Sequence, residues 1–279
     1  MIVIAVFILA LALGIPICWM LGMCGVTFLA DINATLLQVL PQKMMSSAAT
    51  YSLLCIPLFI LAGELMALSG DVDRLWKLGK CLVGHIKGGL CYVTVLVGAM
   101  LGATLGSAIA EAALLGGTVY PKLREDGYEE DFSSSLIAAV SVIGPIIPPG
   151  MTFVVYGVVA NVSIQKLFVA GIMPGIYMAL ALALAIFLVG LRRDWKVGKR
   201  ARVKETLIAL KEASFSILVP VAALVALATG IATPTESAAV LSMLIVLVGM
   251  LVYRKIKIRD LIPLFSKAAV TSVAILLIS

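Results

Sequence analysis

The sequence predicts an all-α polytopic membrane protein, on three observations. Hydrophobic residues make up 62% of its 279 positions and charged residues only 13%, whereas a soluble domain is about one half apolar and one quarter charged. Apolar stretches recur at 1–30, 51–69, 89–120, 132–160, 167–191, 215–232 and 237–253, and a last one opens near Ala268. Most reach the roughly 20 residues a helix needs to cross hydrocarbon, and the ten-residue alternation of an outer-membrane barrel is absent.

The first stretch invites a signal-peptide reading, with Ala10-Leu11-Ala12 as the cleavage motif. No Lys or Arg precedes it and the apolar run continues well past Ala12, so a retained helix kinked at Gly14-Ile15-Pro16 is expected. Residues 1–70 then form scaffold helices, with the N-terminus cytoplasmic.

Residues 71–87 alternate Asp71, Asp73, Arg74, Lys77, Lys80 and Lys87 with Val72, Leu75, Trp76, Leu78, Leu82 and Val83 at helical spacing. That pattern predicts an amphipathic helix in the interface, its apolar face toward lipid and its lysines toward water, in preference to an ordinary loop. Four basic residues against two acidic ones place it on the cytoplasmic side.

The charged loop 122–131 also reads as cytoplasmic, yet one apolar stretch separates it from 71–87. That stretch, 89–120, amounts to roughly 48 Å of straight helix, and a single span would put its ends on opposite sides. A re-entrant hairpin over 88–121 returns both to one side. Its tip is expected in Ala103-Thr104-Leu105-Gly106-Ser107, where small and hydroxyl residues replace bulky ones. Gly98, Gly102 and Gly106, four apart, leave one face of the first arm without side chains and permit close helix contact.

Within 132–160, Gly144-Pro145-Ile146-Ile147-Pro148-Pro149-Gly150 places three prolines in five residues. Proline removes a backbone donor and clashes with the carbonyl four residues back. The span must therefore unwind midway, leaving free carbonyls and a fresh helix N-terminus of the kind that binds ions in transporters. The alternative is a loop joining two short re-entrant segments, which would invert the sidedness of everything downstream.

Net charge is +6, but the basic residues sit in short loops: eight of the 21 Lys and Arg lie in 192–211 and four in 254–259. This is a topology signal, and without an aromatic-basic platform it gives no reason to expect nucleic acid. It makes 191–213 a basic cytoplasmic loop and 214–279 a further helical region, with Thr233-Pro234-Thr235 opening a helix. The five cysteines contain no CxxC pair and His85 is the only histidine, so neither a disulfide framework nor a transition-metal site is expected.

In chain order, Ile56-Pro57-Leu58-Phe59-Ile60-Leu61-Ala62-Gly63-Glu64-Leu65-Met66, Leu82-Val83-Gly84-His85-Ile86-Lys87-Gly88-Gly89-Leu90, Gly106-Ser107-Ala108, Asp126-Gly127-Tyr128, the proline-rich stretch above, Leu167-Phe168-Val169-Ala170-Gly171-Ile172-Met173-Pro174-Gly175 and Thr233-Pro234-Thr235-Glu236-Ser237-Ala238-Ala239 form an ordered set. It resembles the large membrane (M) subunit of the tripartite ATP-independent periplasmic (TRAP) transporters, over almost the whole chain. The resemblance implies an inverted-repeat, elevator-type fold, of which this chain holds the first repeat and the start of the second. It also implies sodium-coupled import of a small organic acid such as a C4-dicarboxylate, sialic acid or another sugar acid. The implied partners are a periplasmic binding (P) protein and a small four-helix membrane (Q) subunit, in the bacterial inner membrane. No cofactor beyond the coupling ion Na+ is implied, and no enzymatic activity.

By that resemblance, 88–190 is half of a transport domain. Gly102, Thr104, Gly106, Ser107, Gly144 and Pro145 are its sodium-site candidates, and Ser107, Pro148, Pro149 and Gly150 its substrate-site candidates. The family commonly carries serine where Leu105 and Gly150 stand, and aspartate where Glu111 stands. Of the intramembrane carboxylates, Glu64 is placed to reach water or an interface lysine, with a direct role in transport as the alternative, Glu236 to serve helix-start chemistry, and Glu111 to play a structural part in the hairpin rather than one in protonation coupling. A one-component sodium/anion symporter of related architecture is the alternative. An enzyme is disfavoured by the lack of metal-binding carboxylate pairs, an HExxH motif or a Ser/His arrangement, and a channel by the lack of a filter-like segment.

Overall fold

The computed structural model describes residues 2–277 apart from 194, 196 and 199. Among the described residues the regular elements are all helical, as the composition requires. Four helical stretches among the described residues are long and apolar enough to cross a membrane, namely Tyr51–Ser69, Ile164–Arg192, Val203–Ala228 and Pro234–Val252, and four shorter ones are apolar.

The N-terminal stretch departs from a kinked helix. Helices α1 (Ile2–Ala12) and α2 (Ile17–Ile32) fold back on one another, bringing the Cys24 thiol within 3.9 Å of the Val3 carbonyl. A continuous helix would hold those residues about 31 Å apart. Gly14, at φ +69°, allows the Ile15 amide to reach back to the Ala10 carbonyl, and Pro16 precedes the start of α2. The chain thereby reverses in four residues.

Helix α4 (Cys55–Ser69) is largely buried, packed by α6 (Gly89–Leu105), α13 (Pro234–Leu247) and α14 (Ile258–Leu276). The Ser242 hydroxyl of α13 donates to the Leu58 carbonyl at 2.7 Å. Lys267 of α14 pairs with Glu64 at 2.8 Å, so of the water or lysine contact expected for that carboxylate the structure shows the lysine. Phe59 meets Phe168 edge-on, and Phe168 meets Phe153 likewise. These T-shaped contacts tie α4 to α11 (Ile164–Arg192) and α10 (Met151–Val159).

Helix α5 (Asp71–Val83) is amphipathic, but its apolar face covers protein rather than lipid. Val72, Leu75, Trp76 and Leu78 are buried where α5 packs on α6 and α12 (Val203–Ala228). Asp71, one of the charges on this helix, is 3% exposed. Its carboxylate pairs with Arg74 at 3.0 Å and accepts from the Ser69 and Ser216 hydroxyls, the latter at 2.5 Å. The Arg74 guanidinium lies 3.3 Å from the centre of the Tyr253 ring, and the Tyr253 hydroxyl donates to the Glu212 carbonyl at 3.2 Å. The α4–α5 corner, α12 and Tyr253, which follows α13, are thus joined by one polar network centred on the buried Asp71.

Helix α6, α7 (Ala108–Thr118) and α8 (Tyr120–Glu125) precede α9 (Glu130–Ser141). The charged segments 71–87 and 122–131 lie at one end of the bundle, where Lys122 pairs with Asp73 at 2.6 Å. Trp195 closes that end, its ring 5.5 Å from Tyr128 and 5.0 Å from Phe132 by centroid, beside an Arg193–Glu129 ion pair. The stretch expected as a loop over 191–213 is helical in its second half, because α12 opens at Val203 with Glu205 accepting from the Arg202 amide. Lys196 and Lys199 of that stretch lie outside the described residues. Helix α14 likewise begins at Ile258, ten residues before the apolar run, with Asp260 capping the Lys257 amide.

Removing one member of a buried ion pair leaves the other desolvated and unpaired, at about 3–5 kcal/mol. Asp71→Ala and Arg74→Ala are each expected to lower the thermal unfolding midpoint of the detergent-solubilised protein sharply. The double variant should lose clearly less than the sum, because the two share one interaction.

Candidate functional site

A helical hairpin and a broken helix meet through their backbones. Helix α6 ends at Gly106, whose φ of +57° few side chains tolerate, and α7 restarts at once with Ser107 as its N-cap. The Ser107 hydroxyl accepts from the Ala110 amide at 3.4 Å. The arms run antiparallel, so that Leu115 lies beside Gly98 and Glu111 beside Gly102.

Between α9 and α10 the chain leaves the helix over 142–150. An α-helix would pair the carbonyls of Ser141, Gly144 and Pro145 with amides four residues on, and those positions are prolines without an N–H. The Ser141 carbonyl takes the Gly144 amide at 3.3 Å instead, and the Pro145 carbonyl takes the Thr152 hydroxyl at 3.1 Å. The break thus re-pairs the Ser141 and Pro145 carbonyls outside the helical pattern, as main-chain oxygens away from water require.

Glycine makes the junction possible. A Cβ on Gly102 would stand 2.7 Å from the Gly144 Cα. One on Gly106 would stand 3.0 Å from the Pro149 carbonyl oxygen and 3.1 Å from the Met151 nitrogen. Gly98, the first of the series, faces Val140 of α9 and Glu111. The four-residue glycine repeat therefore serves both the second hairpin arm and the broken helix.

The expected site residues divide accordingly. Gly102, Gly106, Gly144, Pro149 and Gly150 come together at the junction, with Ser107 half-buried at its edge. Pro145 faces Gly150 within the break, and Pro148 is buried beside Pro149. Thr104 is fully buried, its hydroxyl donates to Leu101 within α6 at 2.8 Å, and its carbonyl faces Gly63 of α4. Gly150 has no room for a side chain, since a Cβ there would stand 2.5 Å from the Pro145 oxygen. Leu105 packs on Gly63, a contact that a lone glycine in an apolar helix did not announce. Glu236 forms a capping box with Thr233, the helix-start chemistry expected of it. Among the described residues no group of His, Cys, Asp and Glu is suited to hold a transition metal.

Comparison with known proteins supplies the context. Residues 4–279 match the family described as "Tripartite ATP-independent periplasmic transporter, DctM component". The chain is 34% identical over 264 residues to a sialic acid TRAP transporter large permease protein of Vibrio cholerae, covering 95% of this chain and 62% of that protein. It is 34% identical to a 2,3-diketo-L-gulonate TRAP transporter large permease protein of Escherichia coli, covering 96% of this chain and 64% of that protein. It is 33% identical to a C4-dicarboxylate TRAP transporter large permease protein of Vibrio cholerae, covering 86% and 53%. The chain thus spans less than two thirds of the length of these relatives.

Overpacking a tight backbone contact costs about 1–3 kcal/mol. Gly102→Ala is expected to lower thermal stability by that order, while Gly116→Ala, whose added Cβ meets nothing within 4 Å, should be neutral or slightly stabilising. Paired melting curves in one detergent check this contrast.

Proposed function

The chain belongs to the DctM component family of tripartite ATP-independent periplasmic transporters, and from that premise we propose that it imports a small organic acid coupled to sodium. The observation that carries the proposal is the contact of a glycine-lined hairpin tip with a proline-broken helix, Gly102 on Gly144 and Gly106 on Pro149. A hard monovalent cation prefers oxygen ligands, and this junction gathers main-chain carbonyls and the Ser107 hydroxyl in an apolar setting. Carbonyl oxygens around Gly102, Gly144 and Pro145 replace water around the ion, and the substrate lies beside Ser107 and 148–150.

The substrate class is supported by the relatives, whose names specify sialic acid, 2,3-diketo-L-gulonate and C4-dicarboxylates, all organic acids. The same relatives support a bacterial inner-membrane location. The family's tripartite description supports delivery by a periplasmic binding protein and partnership with a small Q subunit. In this reading the hairpin is re-entrant, the N-terminus is cytoplasmic, and the hairpin and broken helix travel together in an elevator-type movement. Chemistry on the substrate has no place in the cycle: the protein transports and does not catalyse.

The test is uptake into proteoliposomes reconstituted with the Q subunit and the cognate binding protein, whose substrate is first found by thermal-shift screening. An inward sodium gradient should drive uptake. Ser107→Ala should reduce it at least tenfold with wild-type amounts of folded protein, and Gly144→Ala, whose added Cβ would stand 2.1 Å from the Glu111 Oε2, should abolish it at a cost in stability. Uptake that ignores sodium, or survives both substitutions, contradicts the proposal.

A further inference from the structure

The α10–α11 turn and the α12–α13 turn lie at the end of the bundle opposite the basic loops. With α3 (Leu40–Ala48) and the start of α2 they border a cavity of about 1140 Å³. Small-molecule sites mostly occupy roughly 300–1,000 Å³, so this one has room for such a molecule together with water. Helix α11 runs from Ile164 at the cavity to Arg192 at the basic end, a separation of about 42 Å. In the orientation proposed above, the cavity therefore faces the periplasm.

Among the described residues that line it, Lys43 alone is charged. Its side chain is exposed, and no carboxylate of the described residues pairs with it. The acids of this region are engaged or distant. Glu236 accepts from the amide and the hydroxyl of Thr233, each at 2.8 Å, and Asp31 lies nine residues beyond Gly22 on α2, about 14 Å along the helix. Lys166 is exposed on α11 but does not line the cavity. The helix starts that reach it are already capped, Ser163 accepting from the Lys166 amide at 3.4 Å and Thr233 from the Glu236 amide at 3.3 Å. The charge offered to a ligand is thus one ammonium group. Around it stand the hydroxyls of Ser47, Thr50 and Ser52 and the amides of Asn161 and Gln165, which both donate and accept. Neither amide is engaged by another described residue. That of Gln165 lies over Gly230, where an added Cβ would stand 3.0 Å from Nε2, so it bridges α11 and the α12–α13 turn.

We propose that this cavity is an outer vestibule that receives the organic acid as a hydroxylated monocarboxylate, with Lys43 on its carboxylate and Asn161 and Gln165 on its hydroxyls. An ammonium–carboxylate contact is charge-assisted and stronger than a neutral hydrogen bond. A second carboxylate would be stripped of water with no cation to meet it, which selects against diacids. Neutral hydroxyl and amide walls suit a polyol chain and leave their own groups unpaired against a hydrocarbon one. The inference narrows the substrate class and rests on the transport reading above, but it does not use the hairpin–break junction.

The test is thermal unfolding of the purified transporter against gluconate, with succinate and the neutral polyol glucitol as comparisons and total sodium held constant with chloride. Gluconate should raise the wild-type midpoint saturably, glucitol should not, and succinate should need at least tenfold higher concentration for the same shift. Lys43→Gln should need at least tenfold more gluconate and Gln165→Ala several-fold more, while Lys43→Arg should stay within a few-fold of wild type. Ser107→Ala should leave the dependence on Lys43 intact. A wild-type midpoint that gluconate does not move, a Lys43→Gln response within twofold of wild type, or a stronger response to succinate each overturns the vestibule. Sodium-driven uptake of the cognate acid in proteoliposomes judges the transport reading separately: uptake without a Lys43-dependent shift overturns the vestibule alone, and wild-type protein with neither overturns both.

Discussion

Backbone-to-backbone contact between the hairpin and the broken helix is the constraint on which the rest of the candidate site depends. Two main chains approach this closely only where both lack side chains, and Gly102 against Gly144 meets that condition. The approach sets the Pro149 carbonyl against Gly106 of the hairpin instead of a wall of methyl groups. Main-chain oxygens are fixed dipoles, held by their neighbours, and they need little reorganisation to receive a cation. The candidate site is therefore built largely from main chain and is apolar where it packs.

The surrounding helices hold that contact in place. Leu105, one residue before the tip, packs on Gly63 of α4, which is itself clasped by α13 and α14. At the base of the hairpin, α5 buries its apolar face on α6 and α12, and Trp195 fills the space between Tyr128 and Phe132. The hairpin is thus held at its tip by close packing and at its base by aromatic contacts and ion pairs.

Two buried carboxylates show how differently the same group is treated. Asp71 is neutralised by Arg74 and by hydroxyls from two helices, and it ties the α4–α5 corner to α12. Glu111 has a glycine cradle and no partner. Carboxyl groups are buried in this protein at a joint between helices and at a junction between two interrupted elements, and among the described residues only the first is partnered by other side chains.

By itself the sequence determined the helical class, the unwinding at 142–150 and the return of the chain near Gly106-Ser107, because each follows from local chemistry. Long apolar runs demand internally paired backbone, proline cannot donate, and glycine tolerates a left-handed turn. The capping role of Glu236 was legible for the same reason, since Thr233 lies three residues away. Only the tertiary structure decided what each face meets. Helical spacing showed that α5 has an apolar side but not that α6 and α12 would cover it, and it did not announce that Asp71 is buried. The interruption at Gly14-Ile15-Pro16 was visible, but whether it bends or reverses the chain depends on whether α1 finds α2 to pack against. The glycine cradle of Glu111 joins residues from three segments, and periodicity along one chain carries no information about contacts across it.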